Sequence, residues 1–236
     1  MRIELAGLVG SARTAGFSVA LYLSLMLSAA AQTAPSPGEI AGYDGLHRAA
    51  HDGDVDAIRR LTAVGADLEA RDDAGRTPLH VAVFASNEDA VTALAAAGSD
   101  LDAFENRAYD GVTIAAVAND LDMLDRLLSL GAGAGNVTSP YDGTALIAAA
   151  HLGHHAVVAR LIAAGAPLDH VNNLGWTALI EAVVLGDGGP DHVETARALV
   201  VAGADASIAD RQGATPLDHA RARGYAEMIA VLEAAR

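Results

Sequence analysis

From Gly42 to the end of the chain, apolar residues recur in short stripes three and four positions apart rather than alternating as in a strand. In the clearest stretch Leu79, Ala82 and Val83 make one stripe, and Val91, Leu94 and Ala95 make a second. Each stripe covers only a few turns, so the pattern predicts pairs of short amphipathic helices. The polar positions between them supply the boundaries. Thr77 can cap a helix start by accepting from an exposed backbone N–H, and Pro78 suits the first helical position, where its missing N–H costs nothing. Glu88 places its charge at the positive end of the second helix, and Gly98 can close that helix in the left-handed conformation.

The pair repeats. Gly65-Ala66-Asp67, Gly98-Ser99-Asp100 and Gly203-Ala204-Asp205 share one pattern, with looser copies at Gly131-Ala132-Gly133 and Gly165-Ala166-Pro167. The lead glycines follow one another at 33, 33, 34 and 38 residues. A fixed period of this size signals stacked supersecondary units, each burying its apolar side only against its neighbours. With Gly75-Arg76-Thr77-Pro78-Leu79-His80 at the start of the clearest unit, motif and period together resemble the ankyrin repeat. The resemblance covers residues 42–236. It implies an all-α solenoid of about six helix-turn-helix units with hairpin-like loops, at about 42–71, 72–104, 105–138, 139–171 and 172–209, with a C-terminal cap at 210–236.

Departures from the pattern are informative. Asp44-Gly45 replaces Thr-Pro in the first unit, where Asp is expected to cap in its place. The third unit, with Asp110-Gly111-Val112-Thr113, is the most degenerate and is expected to be the weakest link. Three glycines and Pro140 between Gly131 and Tyr141 predict a longer, mobile finger. Five additional residues in the fifth unit, placed at 187–191, are expected in the turn between its two helices.

Ahead of the repeats, Arg2 and Arg13 precede an apolar core from Phe17 to Leu27, followed by Ser28-Ala29-Ala30-Ala31. This is the order of a secretory signal peptide over residues 1–31, with the cut after Ala31. The eleven-residue core is short of the roughly 20 residues that span a bilayer, which disfavours an uncleaved anchor. A periplasmic or secreted protein, free of the membrane after cleavage, is the expectation. Residues 32–41, with Pro35 and Pro37 among small residues, are expected to form a flexible linker.

Composition narrows the partners. A net charge of −15 opposes nucleic-acid binding, which needs clustered Lys and Arg, and modestly favours a basic protein. The absence of cysteine excludes disulfides, thiol nucleophiles and thiolate metal sites. A monomer without cofactors is expected.

The resemblance also implies where a partner docks: on the concave face made by loop tips and first helices. At the tips this places Tyr43, Arg76, Tyr109, Tyr141 and Trp176, and at the first-helix exits His51, Phe84, His151 and Leu185. Phe104, Arg107 and Arg211 lie nearby in the loops. Tyr and Trp at tips offer large contact area with a polar handle. Catalytic chemistry has little support. His151, His154 and His155 are interrupted by Gly153, so a shared metal lacks converging ligands. The resemblance assigns His47 and His80 to hydrogen bonds between loops. Glu181 could act as an acid or base, but no nucleophile motif or phosphate-cradling loop accompanies it. The leading reading is a non-enzymatic scaffold that binds another protein. The alternative is an enzyme or small-ligand receptor with a site near Glu181, His151 and residues 187–191.

Overall fold

Thr77 accepts from the amide of His80, and the His80 ring accepts in return from the Thr77 amide, so a reciprocal cap begins the first helix of the clearest unit. Thr144, Thr177, Asp110 and Thr215 cap the matching helices of later units. In the computed structural model, which describes residues 32–235, these starts organise thirteen helices and no strand among the described residues. A short helix α1 (Pro37–Gly42) precedes six helix pairs: α2 (Gly45–Asp52) with α3 (Val55–Ala63), α4 (Pro78–Phe84) with α5 (Glu88–Ala97), and α6 (Gly111–Ala118) with α7 (Leu121–Ser129). Then come α8 (Ala145–Leu152) with α9 (His155–Ala163), α10 (Ala178–Val184) with α11 (Pro190–Val201), and α12 (Pro216–Arg223) with α13 (Ala226–Glu233).

First helices stack on first helices, in the order α2, α4, α6, α8, α10, α12, and second helices stack likewise. The architecture is the all-α solenoid that the period implies. Its core is a run of small layers: Leu79, Ala82 and Leu94 in one unit, Leu124 and Leu127 in the next, then Leu146, Val157 and Leu161, all essentially inaccessible. Burying each Leu contributes about 1.5–3 kcal/mol, and every layer draws part of its cover from the adjacent unit. Gly65, Gly98, Gly131, Gly165 and Gly203 take φ of 83–102°, the left-handed conformation that closes each second helix.

Several expectations are corrected. The linker is not flexible throughout: Ser36 and Glu39 cap each other, Pro37 opens α1, and Arg48 donates to the Ile40 carbonyl at 2.6 Å. Asp44 precedes α2 without a side-chain cap hydrogen bond, so that helix start relies on packing instead. The finger between Gly131 and Tyr141 is pinned. Asn136 donates to Asp102 and Asp110, both at 2.9 Å, and Thr138 pairs with Gly143 across a single bridge. The insertion is only partly in the turn: residues 187–189 lie there as expected, and residues 190–191 enter the second helix. α11 begins at Pro190 and runs twelve residues against nine in α9, because Pro190 is suited to a first helical position. The signal peptide and its cut after Ala31 lie outside the described residues.

Candidate protein-binding face

Successive loops are joined edge to edge by backbone hydrogen bonds. The Asn106 amide donates to the Ala74 carbonyl (3.0 Å), the Ser139 amide to Ala108 (2.8 Å), and the Asn173 amide to Tyr141 (2.9 Å). Arg211 continues the series with its guanidinium on the Asn173 carbonyl. Five tips therefore form one rail across the repeats, the first four joined through backbone and the fifth through the Arg211 side chain.

Four tips are each shaped by one side chain at the same register, and in the fourth unit Ser139 Oγ, one position later, accepts from Tyr141 and Gly143. Asp72 Oδ1 accepts from the amides of Ala74 and Arg76, Glu105 Oε1 from Arg107 and Tyr109, Asn172 Oδ1 from Leu174 and Trp176, and Asp210 Oδ1 from Gln212 and Ala214. The histidines are spent on similar bracing. His47 bonds the Arg76 carbonyl at 2.9 Å, and His80 bonds the Tyr109 carbonyl at 3.2 Å. His154 bonds the Ala116 carbonyl at 3.0 Å, tying the start of α9 to the end of α6.

The residues expected on the binding face divide into two groups. Phe104, Arg107 and Arg211 are exposed; Tyr43, Phe84, Tyr141, His151 and Trp176 are half-buried. These are placed where a guest could reach them. Arg76, Tyr109 and Leu185 are not, since all three are buried. Arg76 is 2% exposed because its guanidinium donates to Asp72 Oδ2 at 2.7 Å and to Glu39 of α1. Tyr43 donates to the same Asp72 oxygen at 2.7 Å, and its ring lies over His47 at a centroid distance of 5.4 Å. Burial alone would raise the Asp72 pKa, but the Tyr43 hydroxyl and the Arg76 contacts outweigh it and hold the carboxylate below its usual range. This charged clasp explains why Arg76 is a bracing group and not a free anchor.

The fifth unit builds a different clasp. Glu181 on α10 is 3% exposed, and its Oε1 accepts from Asn172 Nδ2 at 2.9 Å. Its Oε2 lies 3.5 Å from His151 Nδ1 at the end of α8. Burial pushes the Glu181 pKa up to about 7, only partly offset by the Asn172 amide. The same burial, with His192 nearby, lowers the His151 pKa and favours the neutral ring. His192, at the start of the lengthened α11, bonds the His151 carbonyl at 3.0 Å and Asp187 at 3.2 Å. Thus Glu181, His151 and the insertion, weighed together from sequence, do meet. His192 was not singled out from sequence; its signal was its place near the start of the second helix, matching His154. Val137 and Val171, both exposed, were missed as well, although they stand 33 and 67 residues after Phe104 at the same loop register.

Comparison with known proteins agrees with this architecture. A family model described as ankyrin repeats (3 copies) matches residues 112–209, and another described as ankyrin repeats (many copies) matches residues 46–106. The ankyrin repeat protein YahD of Escherichia coli (strain K12) is 37% identical over 101 residues, which is 42% of this chain and 50% of YahD; the chain thus spans about half the length of that relative. An ankyrin repeat domain from Acinetobacter baumannii AYE superposes with a TM-score of 0.76 at 42% identity, covering 80% of this chain and 96% of that one. The ankyrin repeat protein EF0377 superposes with a TM-score of 0.73 at 29% identity, covering 81% and 98%. A structure of the Bd0816 predatory endopeptidase from Bdellovibrio bacteriovorus in complex with immunity protein Bd3460 shares the fold, with a TM-score of 0.67 at 24% identity over 82% of this chain and 99% of that one. With matched repeats across most of its length, stacked helix pairs and a rail of hydrogen-bonded tips, this chain belongs to the ankyrin repeat family.

Proposed function

We propose that this chain is a non-enzymatic scaffold that binds another protein on its concave loop and first-helix face, and that it does so as a monomer in the periplasm or outside the cell. Ankyrin repeats are protein-interaction scaffolds, and the observation that carries the reading here is the rail of joined tips. It holds Tyr141, Trp176 and Arg211 from different units in one fixed line, beside the half-buried Phe84 and His151 of the first helices. A surface assembled from several units suits a macromolecule better than a small ligand. Titratable side chains of the face are largely engaged in bracing the stack, which argues against turnover.

The acidic balance supports a partner with basic surface, and the charge order of residues 2–31 supports export. A photo-crosslinking amino acid at Phe84 or Trp176, introduced into the full chain in cells, should yield one reproducible protein adduct. Adducts absent at both positions, with the chain folded, would sink the scaffold reading. Fractionation with N-terminal sequencing addresses export: a mature start at Gln32 in the envelope fraction is expected, and a cytoplasmic chain starting at Met1 counts against it.

One observation favours a second reading. The buried Glu181, with a pKa near 7 and an imidazole 3.5 Å away, is equipped to exchange a proton at neutral pH. Glu181→Gln separates the two: a scaffold keeps its adduct at Trp176, whereas an enzyme or small-ligand receptor loses its activity with folding intact.

A further inference from the structure

Five large apolar side chains stand well exposed among the described residues. Val64 and Val201 sit singly at the ends of second helices, which is ordinary for a soluble surface. The other three do not. Phe104 (40% exposed), Val137 (48%) and Val171 (46%) occupy the same place in three consecutive loops, each directly before the residue that opens its hairpin. The hairpins are joined by the Ser139–Ala108 and Asn173–Tyr141 backbone bonds, so the three side chains form a continuous row. The row is bounded: Arg71 holds this place in the preceding loop, with its guanidinium on the Phe104 carbonyl at 2.5 Å, and the small Ala209 holds it in the last.

Carboxylates stand near its two ends, with Gly135 at the matching place before Val137. Asp100 and Asp102 precede Phe104, and Asp169 precedes Val171; all three are exposed. They accept only from neutral groups: Asp100 from the Asp102 amide, Asp102 from the Gly133 amide and the Asn136 side chain, and Asp169 from the Asp205 amide. None forms an ion pair among the described residues.

We propose that Phe104, Val137 and Val171, with Asp100, Asp102 and Asp169 alongside, form a docking edge for an amphipathic helix of a partner protein, one carrying Lys or Arg next to an apolar stripe. This rests on the scaffold reading and names the partner's chemistry. The spacing selects the occupant's conformation. Packed helices stand about 8–10 Å apart, so equivalent loop positions repeat at about that interval. Residues seven apart on a helix lie about 10.5 Å apart on one face. Same-face residues of a strand recur at about 6.6 Å and 13 Å, out of step with the row. A helix lying along the edge therefore meets all three side chains with positions i, i+7 and i+14, while its flanking cations face the carboxylates.

The probe is an 18-residue helical peptide with Leu at positions 1, 8 and 15 and Lys on one flank, labelled for fluorescence anisotropy and titrated with the full chain. A scrambled peptide of the same composition serves as control. Binding by the helical peptide, weakened at least tenfold in the triple variant F104S/V137S/V171S and at least threefold in D100N/D102N/D169N, is the expected result. V64S/V201S should bind as the parent does. No binding, equal binding of the scrambled peptide, or an affinity within twofold in F104S/V137S/V171S overturns the proposal. Exposed Ser substitutions spare the core, and an unchanged melting curve verifies it. A crosslinked adduct at Trp176 that persists in F104S/V137S/V171S would leave the scaffold standing and remove the edge; loss of adducts at both Phe84 and Trp176 in the parent removes the scaffold itself.

Discussion

The fifth and sixth units solve one structural problem with opposite polarity. In both, the residue that shapes the loop reaches nine positions ahead to a helix side chain. Asp210 accepts from His219 on α12 at 2.8 Å, whereas Asn172 donates to Glu181 on α10 at 2.9 Å. The carboxylate sits on the loop in one unit and on the helix in the other, and its environment inverts with it. Burial presses the Asp210 pKa upward, but the Ala214 and Gln212 amides and His219 prevail and hold it low. Glu181 receives one neutral donor and deeper burial, so its pKa rises to about 7. The same geometry thus stores charge in the last unit and a proton in the fifth.

The largest effect comes from cutting the array upstream of both units, which leaves them to unfold with the second half. Leu127 is wholly buried, close under Gly111, in the stack that leads from the second unit to the fourth. Leu127→Asp should cost about 4 kcal/mol or more, since an unpaired charge replaces an apolar contact. It should also split thermal unfolding into two steps, one for each half of the array. A single sharp transition in that variant counts against the third unit as the hinge.

Next is the proton held by Glu181. Its folded pKa of about 7 lies above the ordinary 4.5, so the folded chain keeps a proton that the unfolded chain releases. Stability from this group is intact below pH 4.5, declines as pH rises to 7, and then levels off about 3 kcal/mol lower. Glu181→Gln should therefore be more stable than the parent at pH 8 and similar at pH 4.5. His80, buried and held neutral with a pKa near 4, acts in the other direction below pH 6.5, so the difference between variant and parent is the quantity to follow. A constant difference across this range would refute the assignment.

Asp210→Asn keeps the acceptor for the loop amides and removes the charge facing His219. A loss of about 1 kcal/mol at pH 6 is expected, disappearing as pH falls below the ordinary carboxylate range, because a depressed pKa stabilises only above it. Denaturant titration of both forms measures this. The smallest effect is optical. The Trp176 amide donates to Asn172, so titration of Glu181 should shift Trp176 emission with a midpoint near pH 7. Glu181→Gln should abolish the shift; its persistence would place the titrating group elsewhere.

Much of the fold was legible because it is local. The helix starts at Thr77, Thr144, Thr177 and Thr215 and the glycines after the second helices act within a few residues, and a period of about 33 repeats the signal six times. The binding face was read less well, because exposure depends on what other units supply. Arg76 looks like a free cation in sequence, yet Glu39, 37 residues earlier, helps bury it. Tyr109 sits at a tip but is buried. The proline-rich stretch before the repeats misleads in the same way, since Pro37 reads as a breaker until Ser36 and Glu39 cap the helix behind it. Val137 and Val171 were hidden for another reason: a single exposed valine carries no meaning until loop register aligns it with Phe104.

The joined tips have a thermodynamic corollary. Loops tied amide-to-carbonyl lose their backbone freedom when the chain folds, so a guest need not order that backbone again, sparing about 1–2 kcal/mol for each loop residue already fixed. Calorimetry of any complex on this face should then show a heat-capacity change no larger than the buried apolar area requires, without the excess that accompanies folding upon association.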